Sequence, residues 1–248
     1  MNINKFTKLK DGQYKIVLED LTNIIVHEDL ILKYDLLLTK KLDEVIKEQI
    51  LKENLNYIAY SLALKYISIR MRSIKEMIEY LDNKGVDKNI SNTCTELLIK
   101  NGYLNDEKYT NAYIMDKINL SNDGPYKILR ELSTKGIEES IMQNAIIVFS
   151  DNMQIDKCTK IVNKLAKTNR KKSLLMFKKK IINHLTNLGY SIEFINMAIK
   201  NLTLEDSDDV KKKEYQKIYN KLSKKYSGKE LEYKIKQKMY ALGFNNNE

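Results

Sequence analysis

Residues 130–137 read RELSTKGI, and the pattern recurs along the chain as EYLDNKGV (79–86), NHLTNLGY (183–190) and KMYALGF (238–244). Gly85, Gly136, Gly189 and Gly243 therefore follow one another at spacings of 51, 53 and 54 residues. An apolar residue stands four before each glycine (Leu81, Leu132, Leu185, Met239), and another follows directly (Val86, Ile137, Tyr190, Phe244). A glycine just after a helical stretch, with an apolar residue beside it, is the left-handed C-cap and its hydrophobic contact. Five residues after the glycine come Ile90, Ile141 and Phe194; nine after, the small residues Cys94, Ala145 and Ala198; thirteen after, Leu98, Phe149 and Leu202. Positions 5, 9 and 13 share one helical stripe, and a small residue in its middle suits close approach of two helices. Coincident columns at a period near 50 residues predict repeated supersecondary units.

Each unit reads as three helices. First helices are expected over 58–69, 106–119, 153–167 and 208–225; second helices over 73–83, 124–134, 171–187 and 228–241; third helices over 87–100, 138–149 and 191–202. Gly124-Pro125 opens a second helix with proline in the first turn, where its missing N–H is not needed. The fourth unit, ending at Glu248, is expected to lack a third helix. Ahead of the repeats, Tyr14, Ile16 and Leu18 alternate with polar residues after the turn signal Asp11-Gly12, and Ile24 and Val26 alternate beyond them. That pattern predicts a small antiparallel hairpin or three-stranded sheet over 4–28. Leu42, Ile46, Ile50 and Leu51 return to helical spacing. The fold class is thus mostly α: tandem three-helix repeats in an elongated array behind a small N-terminal sheet. The segments are 1–57 (sheet plus connecting helix), 58–104, 105–150, 151–204 and a partial 205–248.

A single proline, eight glycines and no tryptophan agree with a helical chain. No run nears the ~20 apolar residues of a membrane span, and the start lacks the apolar centre of a signal peptide, so the cytoplasm is the expected compartment. Cys94 and Cys158 form no CxxC pair and read as buried small residues.

The net charge of +10 is unevenly spread. Residues 1–57 carry 9 basic and 10 acidic groups, 58–150 carry 12 and 12, 151–204 carry 11 and 3, and 205–248 carry 11 and 8. A lysine-rich composition with only four arginines can reflect an AT-rich genome, but such a bias would not load most of the excess into 54 residues. The third repeat is therefore the candidate contact surface for a polyanion or an acidic protein face. Lys157, Lys160, Lys164 and Lys167 recur at helical spacing on its first helix. Arg170, Lys171 and Lys172 lead into the second helix, and Lys179 and Lys180 project from it, opposite the stripe Leu174, Phe177, Ile181, Leu185 and Leu188. The competing reading is a solvated lysine face. Contacts are expected with phosphate backbone rather than bases, since Phe177, Tyr190 and Phe194 occupy core positions. Arg70, Arg72, Arg130 and Lys135 are weaker contact candidates, each equally suited to an intramolecular ion pair.

The stretch 101–117, NGYLNDEKYTNAYIMDK, gathers acidic residues between two apolar segments. Gly102 ends one helix, Asn105 is a suitable N-cap for the next, and Asp106 and Glu107 complement its dipole. Leu104 and Tyr109 are spaced as a hydrophobic staple. Asp116 lies roughly 15 Å farther along the helix, too far to share a metal with Asp106.

These residues resemble the RecX family of bacterial regulators of the RecA recombinase. The likeness rests on Ala63, Leu64, Tyr66, Ile67 and Ser68; on Arg72, Ser73 and Glu76; on Leu81, Lys84 and Gly85; on Gly102, Tyr103, Leu104, Asn105, Asp106, Glu107 and Tyr109; and on Glu131, Leu132, Lys135, Gly136 and Ile137. It is closest over 58–150 and weaker to 248. Thr110 stands where the family has alanine, and Lys117 where an arginine is common; neither departure is expected to touch the fold, although lysine cannot copy arginine's fork. The resemblance implies helix-turn-helix-like units and a non-enzymatic monomer. It also implies binding to the RecA–DNA filament, with restraint of RecA polymerisation, ATP turnover and strand exchange. The alternative is a general DNA-binding helical module without a RecA-specific surface.

No catalytic, cofactor or metal motif appears. The chain has no GxxxxGK[ST] phosphate loop and no GxSxG elbow, and its two histidines, His27 and His184, belong to no HExxH pattern.

Overall fold

The computed structural model describes residues 1–168, 173–200 and 208–244. Three antiparallel strands, β1 (Ile3–Lys8), β2 (Gln13–Leu18) and β3 (Asn23–His27), lie in the order β1-β2-β3. The β1–β2 turn places Asp11 and Gly12 at positive φ, the backbone of a tight hairpin turn. Ile16 and Leu18 of β2 and Ile24 and Val26 of β3 face one buried side. They pack with α1 (Glu28–Lys33), α2 (Leu36–Thr39) and the first half of α3 (Glu44–Ile67), through Leu30, Leu36, Leu42 and Ile50.

The expected boundary at 57/58 falls inside α3. No breaker separates Asn56 from Tyr57, so one 24-residue helix continues from the sheet region into the first repeat. Its N-terminal half contributes Ile50 to the sheet core, and its C-terminal half contributes Ala59 and Ala63 to the core of the first three helices. Buried Asn54 fixes the sheet side: its Oδ1 accepts from the His27 N–H at 2.9 Å and its Nδ2 donates to the Ile25 carbonyl at 2.8 Å. Those bonds satisfy the outer edge of β3 and leave no orphaned amide in the core.

The first repeat is completed by α4 (Ile74–Asn83) and α5 (Lys88–Lys100). The second holds α6 (Asp106–Leu120), α7 (Pro125–Thr134) and α8 (Glu139–Ile146), and the third α9 (Asp151–Thr168), α10 (Leu174–Asn187) and α11 (Ile192–Lys200). Then come α12 (Asp208–Leu222) and α13 (Gly228–Ala241), packed through Ile218, Leu222, Leu231, Ile235 and Met239. The third helix of the second repeat is shorter than expected, ending at Ile146, yet Phe149 beyond it is still buried. The second helices come in two lengths, 10 residues for α4 and α7 and 14 for α10 and α13, a difference of about one turn. The chain divides into two compact units, Met1–Thr110 with Thr134–Ile141, and Asn111–Ser133 with Met142–Glu248.

Within these units the repeated glycines do more than cap. The C-terminal end of each later second helix sits on the N-terminus of the preceding second helix. The Ser73 hydroxyl donates to the Lys135 carbonyl at 2.8 Å, the Gly124 N–H donates to the Leu188 carbonyl at 2.6 Å, and the Ser173 hydroxyl donates to the Leu242 carbonyl. The acceptor is in every case the residue before the glycine. A methyl group on Gly136 would come within 2.7 Å of Lys75, one on Gly189 within 2.7 Å of the Lys127 Cβ, and one on Gly243 within 2.8 Å of Leu175. Gly85, the first of the series, meets nothing within 4 Å.

The 101–117 joint has the capping geometry expected of it. The Gly102 N–H donates to the Ile99 carbonyl and the Tyr103 N–H to the Leu98 carbonyl, both at 2.9 Å, the paired bonds of a glycine C-cap. Asn105 Oδ1 accepts from the Lys108 N–H at 2.8 Å, and Leu104 and Tyr109 are both buried. Asp106 does something not anticipated: its carboxylate accepts from the Ile74 N–H at 2.9 Å and so caps α4 from the next repeat. The two departures from the family pattern also touch the fold. Thr110 is fully buried, its hydroxyl donating to the Asp106 carbonyl at 2.6 Å, and Lys117 is held by two carboxylates described below.

Candidate nucleic-acid interface

On α9, Lys160, Lys164 and Lys167 stand at i, i+4 and i+7, which places them on one helical face. All three are exposed and have no ion-pair partner among the described residues. Val162 and Cys158, both fully buried, turn the opposite side of the helix inward. Lys157 belongs to a different environment. Its ammonium donates to the Ser121 carbonyl at 2.8 Å, just past the C-terminus of α6, and lies 5.8 Å from the Phe149 ring centroid. Burial, with Lys160 adding to it, lowers its pKa. A cation there completes a helix C-terminus. Lys157 and Lys160 both line a groove of about 490 Å³, with residues 118–122, Met153 and Asp156.

On α10, Lys179 and Lys180 are exposed, while Phe177, Ile181 and Leu185 are buried as the stripe requires. Arg170, Lys171 and Lys172 lie outside the described residues. The lysines of α9 thus separate into one that is built into the fold and three that offer charge to solvent.

The weaker candidates separate the same way. Arg70 pairs with Glu76 at 2.9 Å, and Lys135 reaches the same carboxylate at 3.2 Å. The Ser73 N–H also donates to Glu76 at 3.1 Å, completing a capping box at the start of α4. Burial pushes the Glu76 carboxyl up, but Arg70, the Ser73 N–H and Lys135 together outweigh it and hold the pKa at about 2. Arg72 stacks over the Tyr66 ring at 3.7 Å, and Tyr66 stacks on Tyr80 at 3.9 Å. Arg130 is exposed.

A second polar cluster, not singled out from sequence, occupies the other compact unit. Lys117 bridges Asp123 at 2.8 Å and Glu131 at 2.6 Å; Lys127 pairs with Asp123 at 2.5 Å; and the Tyr113 hydroxyl donates to Glu131 at 2.6 Å. Burial and the hydrogen bond to Glu131 push the Tyr113 phenol up to about 12. Both clusters neutralise themselves, so they are structural polar networks rather than open sites. Cys94 and Cys158 are free and buried, with burial pushing their thiols up to about 11 and about 12, unsuited to nucleophilic work. Among the described residues no group of three His, Cys, Asp or Glu side chains could hold a metal ion, and no helix is long and apolar enough to cross a membrane.

Comparison with known proteins agrees with this architecture. Residues 59–94 match the model of the first three-helix domain of RecX, and residues 105–146 that of the second. The regulatory protein RecX of Lactococcus lactis subsp. cremoris (strain SK11) is 32% identical over 253 residues, covering 98% of this chain and 94% of that one. That of Bacillus licheniformis is 30% identical with the same coverage. A crystal structure of regulatory protein RecX superposes with a TM-score of 0.67 at 26% identity, covering 81% of this chain and 99% of that one. RecX from Lactobacillus salivarius gives 0.58 at 29% identity, covering 62% and 99%. With a helical array of capped three-helix units and relatives matched along nearly its whole length, the chain belongs to the RecX family of regulatory proteins.

Proposed function

We propose that the protein acts without catalysis, by binding the RecA–DNA filament and restraining RecA polymerisation, ATP turnover and strand exchange. The observation that carries the nucleic-acid part of this reading is the exposed lysine face of α9, Lys160, Lys164 and Lys167, in a segment with 11 basic and 3 acidic residues. Such a face contacts phosphates without reading sequence and loses affinity steeply with salt. The RecA part rests on family membership. In this reading the functional segments are 1–57, 58–104, 105–150, 151–204 and 205–248, and the third supplies the main charge. The protein works in the cytoplasm, where the filament assembles.

The test is the single-stranded-DNA-dependent ATPase of RecA, followed while the protein is titrated in. A falling rate with shortening filaments supports the proposal; an unchanged rate at stoichiometric protein sinks it. The exposed lysines by themselves would also suit bare DNA. Equal affinity for bare DNA and for RecA filaments, with equal salt dependence, would favour a general DNA-binding module instead.

A further inference from the structure

The joint that links successive second helices leaves two of its own halves unused, and the residues at those halves match each other. In the joint between the first two repeats, the knob is Thr134-Lys135-Gly136-Ile137 and the socket is Ser73-Ile74-Lys75-Glu76. The Ser73 hydroxyl donates to the Lys135 carbonyl at 2.8 Å, the Lys75 ammonium donates to the Thr134 carbonyl at 3.0 Å, and the Lys135 ammonium pairs with Glu76 at 3.2 Å. Arg70, three residues ahead of Ser73, backs the same carboxylate.

The two other joints use no such charges. Leu188 and Leu242 stand where Lys135 stands, and Lys127 and Met176 where Glu76 stands. Lysine knobs therefore occur twice, at Lys84 and Lys135, and glutamate sockets twice, at Glu76 and Glu230. Lys135 takes Glu76, which leaves Lys84 and Glu230.

Both remaining halves are exposed. The knob Asn83-Lys84-Gly85-Val86 is already shaped, with the Gly85 N–H donating to the Asp82 carbonyl at 2.8 Å and the Val86 N–H to the Leu81 carbonyl at 3.1 Å. A methyl group on Gly85 would meet nothing within 4 Å. The socket Ser227-Gly228-Lys229-Glu230 opens α13; the Ser227 side chain makes no cap bond, and Gly228 likewise meets nothing within 4 Å. Lys224 stands three residues ahead of Ser227, as Arg70 stands ahead of Ser73. Neither Lys84 nor Glu230 has an ion-pair partner among the described residues.

We infer that the occupant of each free half is a second copy of this chain. The Lys84-Gly85 knob of one molecule seats on the Ser227–Glu230 socket of the next and repeats the contacts of the first internal joint. The Ser227 hydroxyl would donate to the Lys84 carbonyl, Lys229 to the Asn83 carbonyl, and Lys84 would pair with Glu230. A head-to-tail contact of this kind is heterologous, so it propagates into chains of molecules rather than closing as a two-fold dimer. It departs from the monomer expected from sequence, and it requires no RecA.

Sedimentation of the full chain over a concentration series tests it. The weight-average mass should climb with concentration, reaching multimers by about 1 mM, the range expected of so small a contact. Lys84→Glu and Glu230→Lys should each weaken association by about tenfold or more, because like charges would face one another. An equimolar mixture of the two variants, or the double variant K84E/E230K, should regain it, since opposite charges meet again. Both residues are exposed, so unchanged helicity by circular dichroism is expected of every variant. A single mass throughout the series overturns the inference, as does association that survives both reversals or that the double variant fails to restore.

Discussion

The joint in the first compact unit and the joint between the second and third repeats solve one problem in two ways. In both, the carbonyl end of one helix must meet the amide end of another. At Ser73 the gap is filled by side chains: a hydroxyl, a lysine stem and the Arg70–Glu76–Lys135 cluster. At Gly124 it is closed by backbone alone, with the Gly124 N–H on the Leu188 carbonyl at 2.6 Å and the Tyr126 N–H on the Gly189 carbonyl at 3.1 Å. Two facing glycines permit that approach. The comparison teaches that a repeat can keep its geometry while its chemistry drifts, provided the carbonyl before the glycine still finds a donor.

The sharpest way to break the backbone joint is Gly189→Ala. The new methyl meets the Lys127 Cβ at 2.7 Å, and the residue keeps a φ of +89°. Crowding of about 1–3 kcal/mol adds to a left-handed penalty of about 1–2 kcal/mol, so urea denaturation should show a loss near 3 kcal/mol. Gly85→Ala carries only the second term, at about 1 kcal/mol, because the space beside it is open. Equal losses from the two substitutions would contradict the assignment of Gly189 to a joint.

Glu76→Gln tests the polar joint. It removes the shared partner of Arg70 and Lys135 and should cost about 2 kcal/mol at neutral pH. The fold holds this carboxyl at about 2 against an ordinary 4.5, so the folded state favours its charged form. The resulting stability is complete above about pH 4.5 and fades as the pH falls toward 2. Denaturation curves of the wild type and Glu76→Gln should therefore converge across that window, while a constant gap would show that Glu76 acts through packing alone.

Ser73→Ala should cost about 1 kcal/mol, since Ser73 both caps α4 and donates into the joint. Ser227→Ala, at the unoccupied socket, should change thermal stability by less than about 0.5 kcal/mol in dilute solution. The smallest effect on folding belongs to a surface that no joint uses. Replacing Lys160, Lys164 and Lys167 with Gln should leave stability within about 0.5 kcal/mol and reduce the slope of DNA affinity against salt by about three. An unchanged slope would remove α9 from the proposed interface.

Much of the fold was legible because the repeat writes itself in apolar columns and glycines, and because the sheet strands alternate. The length of α3 was not, since a helix that passes from one core to another shows no break in its pattern: Tyr57 packs on the sheet side and Ala59 on the other. Of the candidate interface, the exposed lysines of α9 could be read from spacing. The inward commitment of Lys157 could not, because its partner is a backbone carbonyl 36 residues away. Glu76 was visible only as part of a family motif. The pattern Ser73-x-x-Glu76 did carry a local signal for the capping box, but nothing local points to Lys135.

The shared helix has a mechanical consequence. Because α3 is a single rod of roughly 36 Å, the sheet at its N-terminal half and the helices at its C-terminal half cannot pivot about a hinge between them. A force applied to the sheet reaches the first repeat as torque, and unfolding of either core strips contacts from the same rod. The sheet and the first repeat should melt together, as one cooperative block.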